Sequence, residues 1–440
     1  MGQLQYNLKL ALKNIRRNPV LSSLMIAAIG VGIGAAMTMV TLTYTTSNNP
    51  IPHKSDVLFY VQLDSWSPDN PAQQPNEPPN LVTYLDATAL MEAKRAYRQT
   101  ISSMARLAIE PQGVDEQPYF AAIRGAYADF FTMFDTPFAY GGPWSSDADS
   151  NAEQVAVLSA ATNERLFGGG SSVGETLTMS DRNYQIVGVL DEWDVVPKFY
   201  DLSSNPFGPT EDVFIPWSLI VANELPRSGN TRCWKSPEGD GLRAFLNSEC
   251  VWIQFWAELR DESEEQEYLS FLNAYVDEQK QIGRFPRPVN NRLRDVAELL
   301  EFRDMTPPQV TMLLGLSVIF LVVCLLNTVG LLLAKFLGKS SEIGLRRALG
   351  ASRRTLFKQY LVEASVIGIA GGLLGLALAR IGLEGIEIML GDMNVTSVVQ
   401  MDWVMAGAAI GLAIFASLMT AIYPTWRACN VQPAAHLNAQ

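Results

Sequence analysis

Apolar positions in this chain follow two different patterns. Four runs, residues 21–42, 310–333, 361–379 and 404–422, each hold close to the ~20 apolar residues that cross a bilayer core. Each predicts a membrane-spanning helix. Between the first and second run, residues 44–309 show only short apolar or alternating stretches bounded by Gly, Pro, Asn and Asp, as in a folded domain with strands and helices. The predicted fold class is an α-helical membrane protein with four transmembrane helices and a large α+β domain inserted between helices 1 and 2.

The predicted boundaries follow from these runs. Residues 1–19 form an amphipathic helix, with Leu4, Leu8, Ala11, Leu12 and Ile15 on one face and Lys9, Lys13, Arg16 and Arg17 around them. Spans cover 20–43, 310–333, 361–379 and 404–423. A connecting loop takes 334–360, a short loop 380–403 and a tail 424–440. The first run is longer than a signal-peptide core and shows no small-x-small cleavage site, so it reads as an uncleaved anchor. Gly30 and Gly34, Gly368 and Gly372, and Gly407 and Gly411 have the spacing of close helix packing, expected for most of them within one chain. No span carries Lys or Arg at its centre, which speaks against an ion path.

Within the insert, strands are predicted at 57–63, 101–109, 118–123, 155–158, 175–179, 184–190 and 251–259. Helices are predicted at 82–99, 128–134, 160–167 and 263–281. Residues 205–250, rich in Pro and polar residues, read as a local insertion. Residues 295–303 are expected to form a stalk helix continuing through Pro307 and Pro308 into the second span, a path for mechanical movement.

Charge sets the orientation. The connecting loop carries Lys335, Lys339, Arg346, Arg347, Arg353, Arg354 and Lys358 against Glu342 alone, and the first 43 residues carry four basic groups and no acid. The loop 380–403 is acidic. The positive-inside rule then puts both termini and the connecting loop in the cytoplasm and the insert outside. The insert holds 39 acidic against 20 basic groups, which excludes nucleic acid as an expected partner.

The connecting loop is the most informative stretch. Glu342 falls where a helix start favours negative charge and four residues before Arg346, Gly350 supplies a stop, and Ser352 can cap the next helix. By itself this is also compatible with a basic loop held inside by charge alone. However, the phrase Glu342-Ile343-Gly344-Leu345-Arg346-Arg347-Ala348-Leu349-Gly350, followed by Gln359-Tyr360-Leu361-Val362-Glu363 and by Gly371, Gly372 and Gly375, resembles the signature of MacB/FtsX-type ABC transporter permeases. Asn7 to Pro19 is similar to that family's N-terminal elbow, and Tyr423 to Pro433 to its closing motif. Within the insert, Tyr127–Phe131, Gln154–Ser159, Leu166–Gly168, Val173–Leu177 and Ile186–Leu190 resemble MacB-type periplasmic domains.

The resemblance implies a coupling helix that docks on a separate ATP-binding subunit, with Glu342, Ile343, Gly344, Leu345, Arg346, Arg347 and Gly350 as the coupling residues. It implies no catalytic residue, cofactor or metal on this chain, with ATP and Mg on the partner ATPase. It also implies a bacterial inner-membrane location, a periplasmic membrane fusion protein and outer-membrane channel as further partners, and pairing as a homodimer or with a second similar permease. Three functions remain open: an exporter permease in a trans-envelope efflux pump, which the strand-rich insert favours; a lipoprotein-extracting permease; and an FtsX-like regulator of an extracytoplasmic hydrolase.

Other chemistry finds little support. Gly338-Lys339-Ser340 ends like a phosphate loop, but Leu333 stands where its leading glycine belongs. His53 and His436 are the only histidines and are placed on opposite sides of the membrane, which excludes the usual zinc spacings. Glu262, Glu264, Glu265 and Glu267 read as a solvated helix face, and Trp252, Phe255 and Trp256 as core. Cys233 and Cys250 share the outside domain, where disulfides persist, and either pair or remain thiols.

Overall fold

The computed structural model describes residues 3–111, 117–304, 308–390 and 403–429. The chain divides into two compact units, residues 1–47 with 306–440, and residues 48–305.

The membrane unit opens with the helix Gln3–Arg17, breaks at Asn18 and restarts at Pro19 as the first span, Pro19–Ser47. Proline suits that first helical position because its missing N–H has no helical partner there. The other long helices are Pro308–Leu337, Arg353–Leu390 and Trp403–Cys429, with the short helix Ser340–Ala348 between the second and third spans. All four are long and apolar enough to cross a membrane. They overrun the apolar runs because helical hydrogen bonding continues past the first polar side chain. At 1.5 Å per residue, Arg353–Leu390 is roughly 57 Å long, well beyond the ~30 Å hydrocarbon core. The predicted loop 334–360 therefore shrinks to the segment around Ser340–Ala348. The predicted loop 380–403 begins as helix, and its residues 391–402 lie outside the described residues. The predicted tail is helical to Cys429, and 430–440 lie outside the described residues.

Glycines do bring the spans together, but not all of them. A Cβ at Gly30 would lie 2.8 Å from Leu374, and one at Gly375 would lie 3.1 Å from the Gly30 carbonyl, so the first and third spans touch backbone to backbone. Gly368 and Gly372 do the same for the third and fourth spans, against Ser417 and Ala413. Among the described residues nothing packs against Gly407 or Gly411.

The second unit is built on one mixed sheet. Its main path runs Arg292–Asp295, Leu58–Gln62, Cys250–Glu258, Arg98–Ile109, Tyr119–Ala126, Val213–Pro216, Val155–Leu158, Arg182–Leu190 and Phe138–Gly141. Tyr119–Ala126 with Val213–Pro216, and Val155–Leu158 with Arg182–Leu190, are parallel. Both faces are covered. Phe59, Val61, Phe255 and Ala257 belong to one apolar layer; Leu58, Tyr60 and Trp256 belong to another, with Phe130, Phe134, Phe199 and Phe214. A strand covered on both sides is buried at every position, as Cys250–Glu258 is.

Three expectations are corrected here. The region 205–250 is not merely an insertion, because Val213–Pro216 is a central strand. The predicted helix 82–99 shortens to Tyr84–Ala93, since Val82–Thr83 pairs with Val251 and Ile253 and a new strand begins at Arg98. The expected stalk is a core helix instead. Val296–Arg303 buries Val296, Leu299 and Leu300 in the domain and stops at Asp304 in a left-handed cap. Likewise Glu262–Gln281 packs on the domain through Tyr268, Leu272 and Val276.

A charged knot sits inside this domain. Arg124 is fully buried, and its Nη2 lies 2.7 Å from both Asp201 and Glu211. Lys198 is 3.0 Å from Glu211, and Tyr200 donates to the same carboxylate at 3.0 Å. Gln254 donates to Asp201, and Arg124 to Ser102. The knot ties segment 198–211 to three central strands, through Ser102, Arg124 and Gln254.

Candidate functional site

The helix Ser340–Ala348 carries its acid, Glu342, in the first turn and its bases, Arg346 and Arg347, in the last, the arrangement the helix dipole favours. Arg346 Nη2 is 2.6 Å from Glu342 Oε1, and Nη1 donates to Gln359 Oε1 at 3.4 Å, linking the helix to the start of the third span. Arg347 donates to the carbonyl of Cys429 at 3.3 Å, linking it to the end of the fourth. Ile343 is buried in an apolar cluster with Phe336, Leu356 and Tyr360.

Gly350 ends the segment with φ +98°, a conformation that glycine adopts without steric cost. Its N–H reaches the Arg347 carbonyl, and the Ala351 N–H reaches that of Arg346. Ser352 Oγ then accepts from the Thr355 N–H at 3.2 Å and caps the third span.

The seven residues singled out by sequence thus divide by role. Ile343, Arg346 and Arg347 fix the helix to its own unit, Glu342 pairs with Arg346 inside the helix, and Gly350 ends it. Gly344 meets nothing among the described residues, and Leu345 is 62% exposed. Leu349, one turn further on, is 80% exposed, and the sequence reading did not select it. Its signal was the i, i+4 spacing from Leu345, which puts two leucines on one outward face. Gln359 and the Cys429 carbonyl were also missed, since partners distant in sequence carry no local signature.

In the second unit Cys233 and Cys250 are cross-strand neighbours joined by a disulfide, with 17 residues of separation. In the chain-entropy model such a loop is worth about 3 kcal/mol. The adjacent Arg232 and Trp234 bond to the carbonyls of Ala72 and Ser65, so the staple holds the loop 63–81 as well. A separate cleft of about 440 Å³ is lined by Arg98, Gln99, Asp129 and Asp149. Burial pushes the Asp149 carboxyl up to about 6, although Trp144 and the Ala128 N–H both donate to it.

Two sequence families match. A MacB-like periplasmic core domain covers residues 22–267, and an FtsX-like permease C-terminal domain covers residues 314–433. The macrolide export ATP-binding/permease protein MacB of Azoarcus sp. (strain BH72) is 22% identical, over 100% of this chain and 60% of its own length. The pyoverdine export ATP-binding/permease protein PvdT of Pseudomonas fluorescens is 22% identical, over 86% of this chain and 51% of its own. The chain therefore spans about half to 60% of these relatives. The crystal structure of the periplasmic region of MacB from Actinobacillus actinomycetemcomitans aligns with TM-score 0.36 and 11% identity, over 58% of this chain and 95% of that one. With a MacB-like domain matched over more than half its length and an FtsX-like domain over its last spans, this multi-pass membrane protein belongs to the MacB/FtsX-type ABC transporter permeases.

Proposed function

We propose that this chain is the permease unit of an ABC exporter, and that its helix Ser340–Ala348 is the surface on which an ATP-binding subunit pushes. The observation that carries this reading is the contrast across one short helix: Leu345 and Leu349 stand exposed while Ile343, Arg346 and Arg347 are anchored inward. An exposed leucine pair on a firmly held helix suits a partner groove, which would bury it and pass force into the helix. The connecting helix and both termini face the cytoplasm of a bacterial inner membrane on this reading, and residues 48–305 face the periplasm. The insert then swings in response to ATP turnover and works with a membrane fusion protein and an outer-membrane channel.

ATP and Mg bind to the partner and no catalytic step occurs on the 440 residues here. Two copies, or one copy and a similar permease, complete the assembly. The relatives are named for a macrolide and for pyoverdine, chemically unrelated cargoes, so the cargo of this chain does not follow from them. The test is purification of the full-length chain from its native membrane with mild detergent. An ATP-binding subunit that remains attached and hydrolyses ATP is the expected result. A chain that purifies without any associated nucleotide-binding unit would overturn the reading.

A further inference from the structure

Where the amphipathic helix, the first span and the two legs of the connecting hairpin meet, the membrane unit hides an ion pair. Lys335 Nζ lies 2.6 Å from Glu363 Oε1, and both side chains are 1% exposed. The contact is off-axis for a directed hydrogen bond, so it acts as a charge contact. Each partner has a second tie. Lys335 donates to Ser22 Oγ at 3.2 Å, and Asn14 Nδ2 donates to the other carboxylate oxygen, Oε2, at 3.0 Å.

The four residues come from four elements. Asn14 lies on Gln3–Arg17, Ser22 in the first turn of Pro19–Ser47, Lys335 near the end of Pro308–Leu337, and Glu363 in Arg353–Leu390. Lys335 precedes the connecting helix by five residues and Glu363 follows it, so the pair closes the base of that hairpin. Phe336 and Tyr360, whose rings are 4.4 Å apart, pack beside Ile343 and Leu356 to fill the space between the pair and the connecting helix.

Stability alone does not call for this arrangement. Removing two charges from water costs several kcal/mol per ion, and apolar residues of similar volume are often as stable or more so. What a buried pair supplies is register: its charges are compensated in only one relative placement of the elements that carry them.

We infer that Lys335 and Glu363, with Asn14 and Ser22, form a clasp that makes the amphipathic helix, the first span and both legs of the hairpin move as one body. They are positioning residues. The purpose of the clasp, passing a push on Ser340–Ala348 into the amphipathic helix and first span, rests on the permease reading above; its mechanical effect does not.

The test places spin labels at Lys9 and Lys358, both exposed, by K9C and K358C in the full-length chain with Cys324 and Cys429 changed to serine. Pulsed EPR in vesicles of native lipid reads the distance between them. The wild-type background gives one narrow distance that stays fixed on addition of ATP. Glu363→Gln and Lys335→Met split it into a second population, and the exchange K335E/E363K restores the single one. In the intact complex the single variants keep hydrolysing ATP while the nucleotide-dependent response of the outer domain falls about tenfold, within the range for residues on a coupling path. A merely structural role would lower both together.

A distance in Glu363→Gln as narrow as in the wild type overturns the clasp. If that variant fails to reach the membrane, Asn14→Ala, which removes only one tie, decides in the same way: a second population supports the clasp and a single narrow one overturns it. Absence of any ATP-binding subunit from the wild-type preparation counts against the permease reading instead, because the label distance needs no motor.

Discussion

Arg346 closes onto Glu342 one helical turn behind it, with Nη2 2.6 Å from Oε1. A half-buried i, i+4 pair of this kind near the surface is worth about 0.3–0.5 kcal/mol, so it does not decide whether the membrane unit folds. Replacing both residues with alanine is therefore expected to leave membrane insertion and thermal stability unchanged. It also removes the tie from Arg346 to Gln359 and lets the helix swivel. Transport per ATP hydrolysed should then fall, measured as cargo efflux against phosphate release in the reconstituted complex. Normal efflux per ATP in the double variant would show that the helix needs no such fixing.

The charged knot in the second unit predicts a large effect from one residue. Arg124→Ala leaves Asp201 and Glu211 buried without the guanidinium that touches both, with Lys198 still on Glu211. Breaking a buried cluster this way costs about 3–5 kcal/mol, and thermal unfolding of the solubilised chain should show it. The pH dependence has a definite sign. Burial alone would raise the Glu211 carboxyl, but Arg124 and Lys198 hold it well below the usual carboxylate range. A carboxylate depressed by folding contributes stability above its unfolded pKa of about 4.3, and that stability drains away as pH falls below it. Acid should unfold the wild type more steeply than Glu211→Gln; equal slopes would place the acid sensitivity elsewhere.

Glycines of the same spacing should behave differently. A Cβ at Gly368 would meet Ser417 Oγ at 2.2 Å and the Ala413 carbonyl at 2.9 Å, and one at Gly372 would meet the Ala413 side chain at 2.8 Å. The double alanine variant G368A/G372A should lose about 1–3 kcal/mol from overpacking. G407A/G411A meets nothing within 4 Å among the described residues and should stay within about 0.5 kcal/mol of the wild type. Thermal unfolding in the same detergent compares the two, and equal losses would contradict the assigned packing.

The parts of this fold that were legible in the sequence are those written in consecutive residues. The four spans, the strand containing Trp252, Phe255 and Trp256, the stop at Gly350 and the Glu342–Arg346 spacing depend on local pattern, and each stands in the structure. Val213–Pro216 was not legible, because three apolar residues ending in proline resemble a turn until two neighbouring strands are present to pair with them. Val296–Arg303 looked like a stalk because it precedes a span, but Val296 and Leu299 are buried by residues far away in sequence. Lys335 counted as one more loop cation; its burial depends on Glu363, 28 positions later, and on Ser22 in another helix.

The most direct measurement is site-specific photo-crosslinking from the connecting helix in native membranes, with the probe at Leu349, at Leu345, or at buried Ile343 as the internal control. If the helix is the seat of an ATP-driven motor, probes at Leu349 and Leu345 join the chain to a protein whose peptides carry a phosphate-binding loop, and the probe at Ile343 does not. Should Leu349 and Leu345 yield only lipid adducts while an ATP-binding subunit is demonstrably attached to the chain, the force must enter somewhere else.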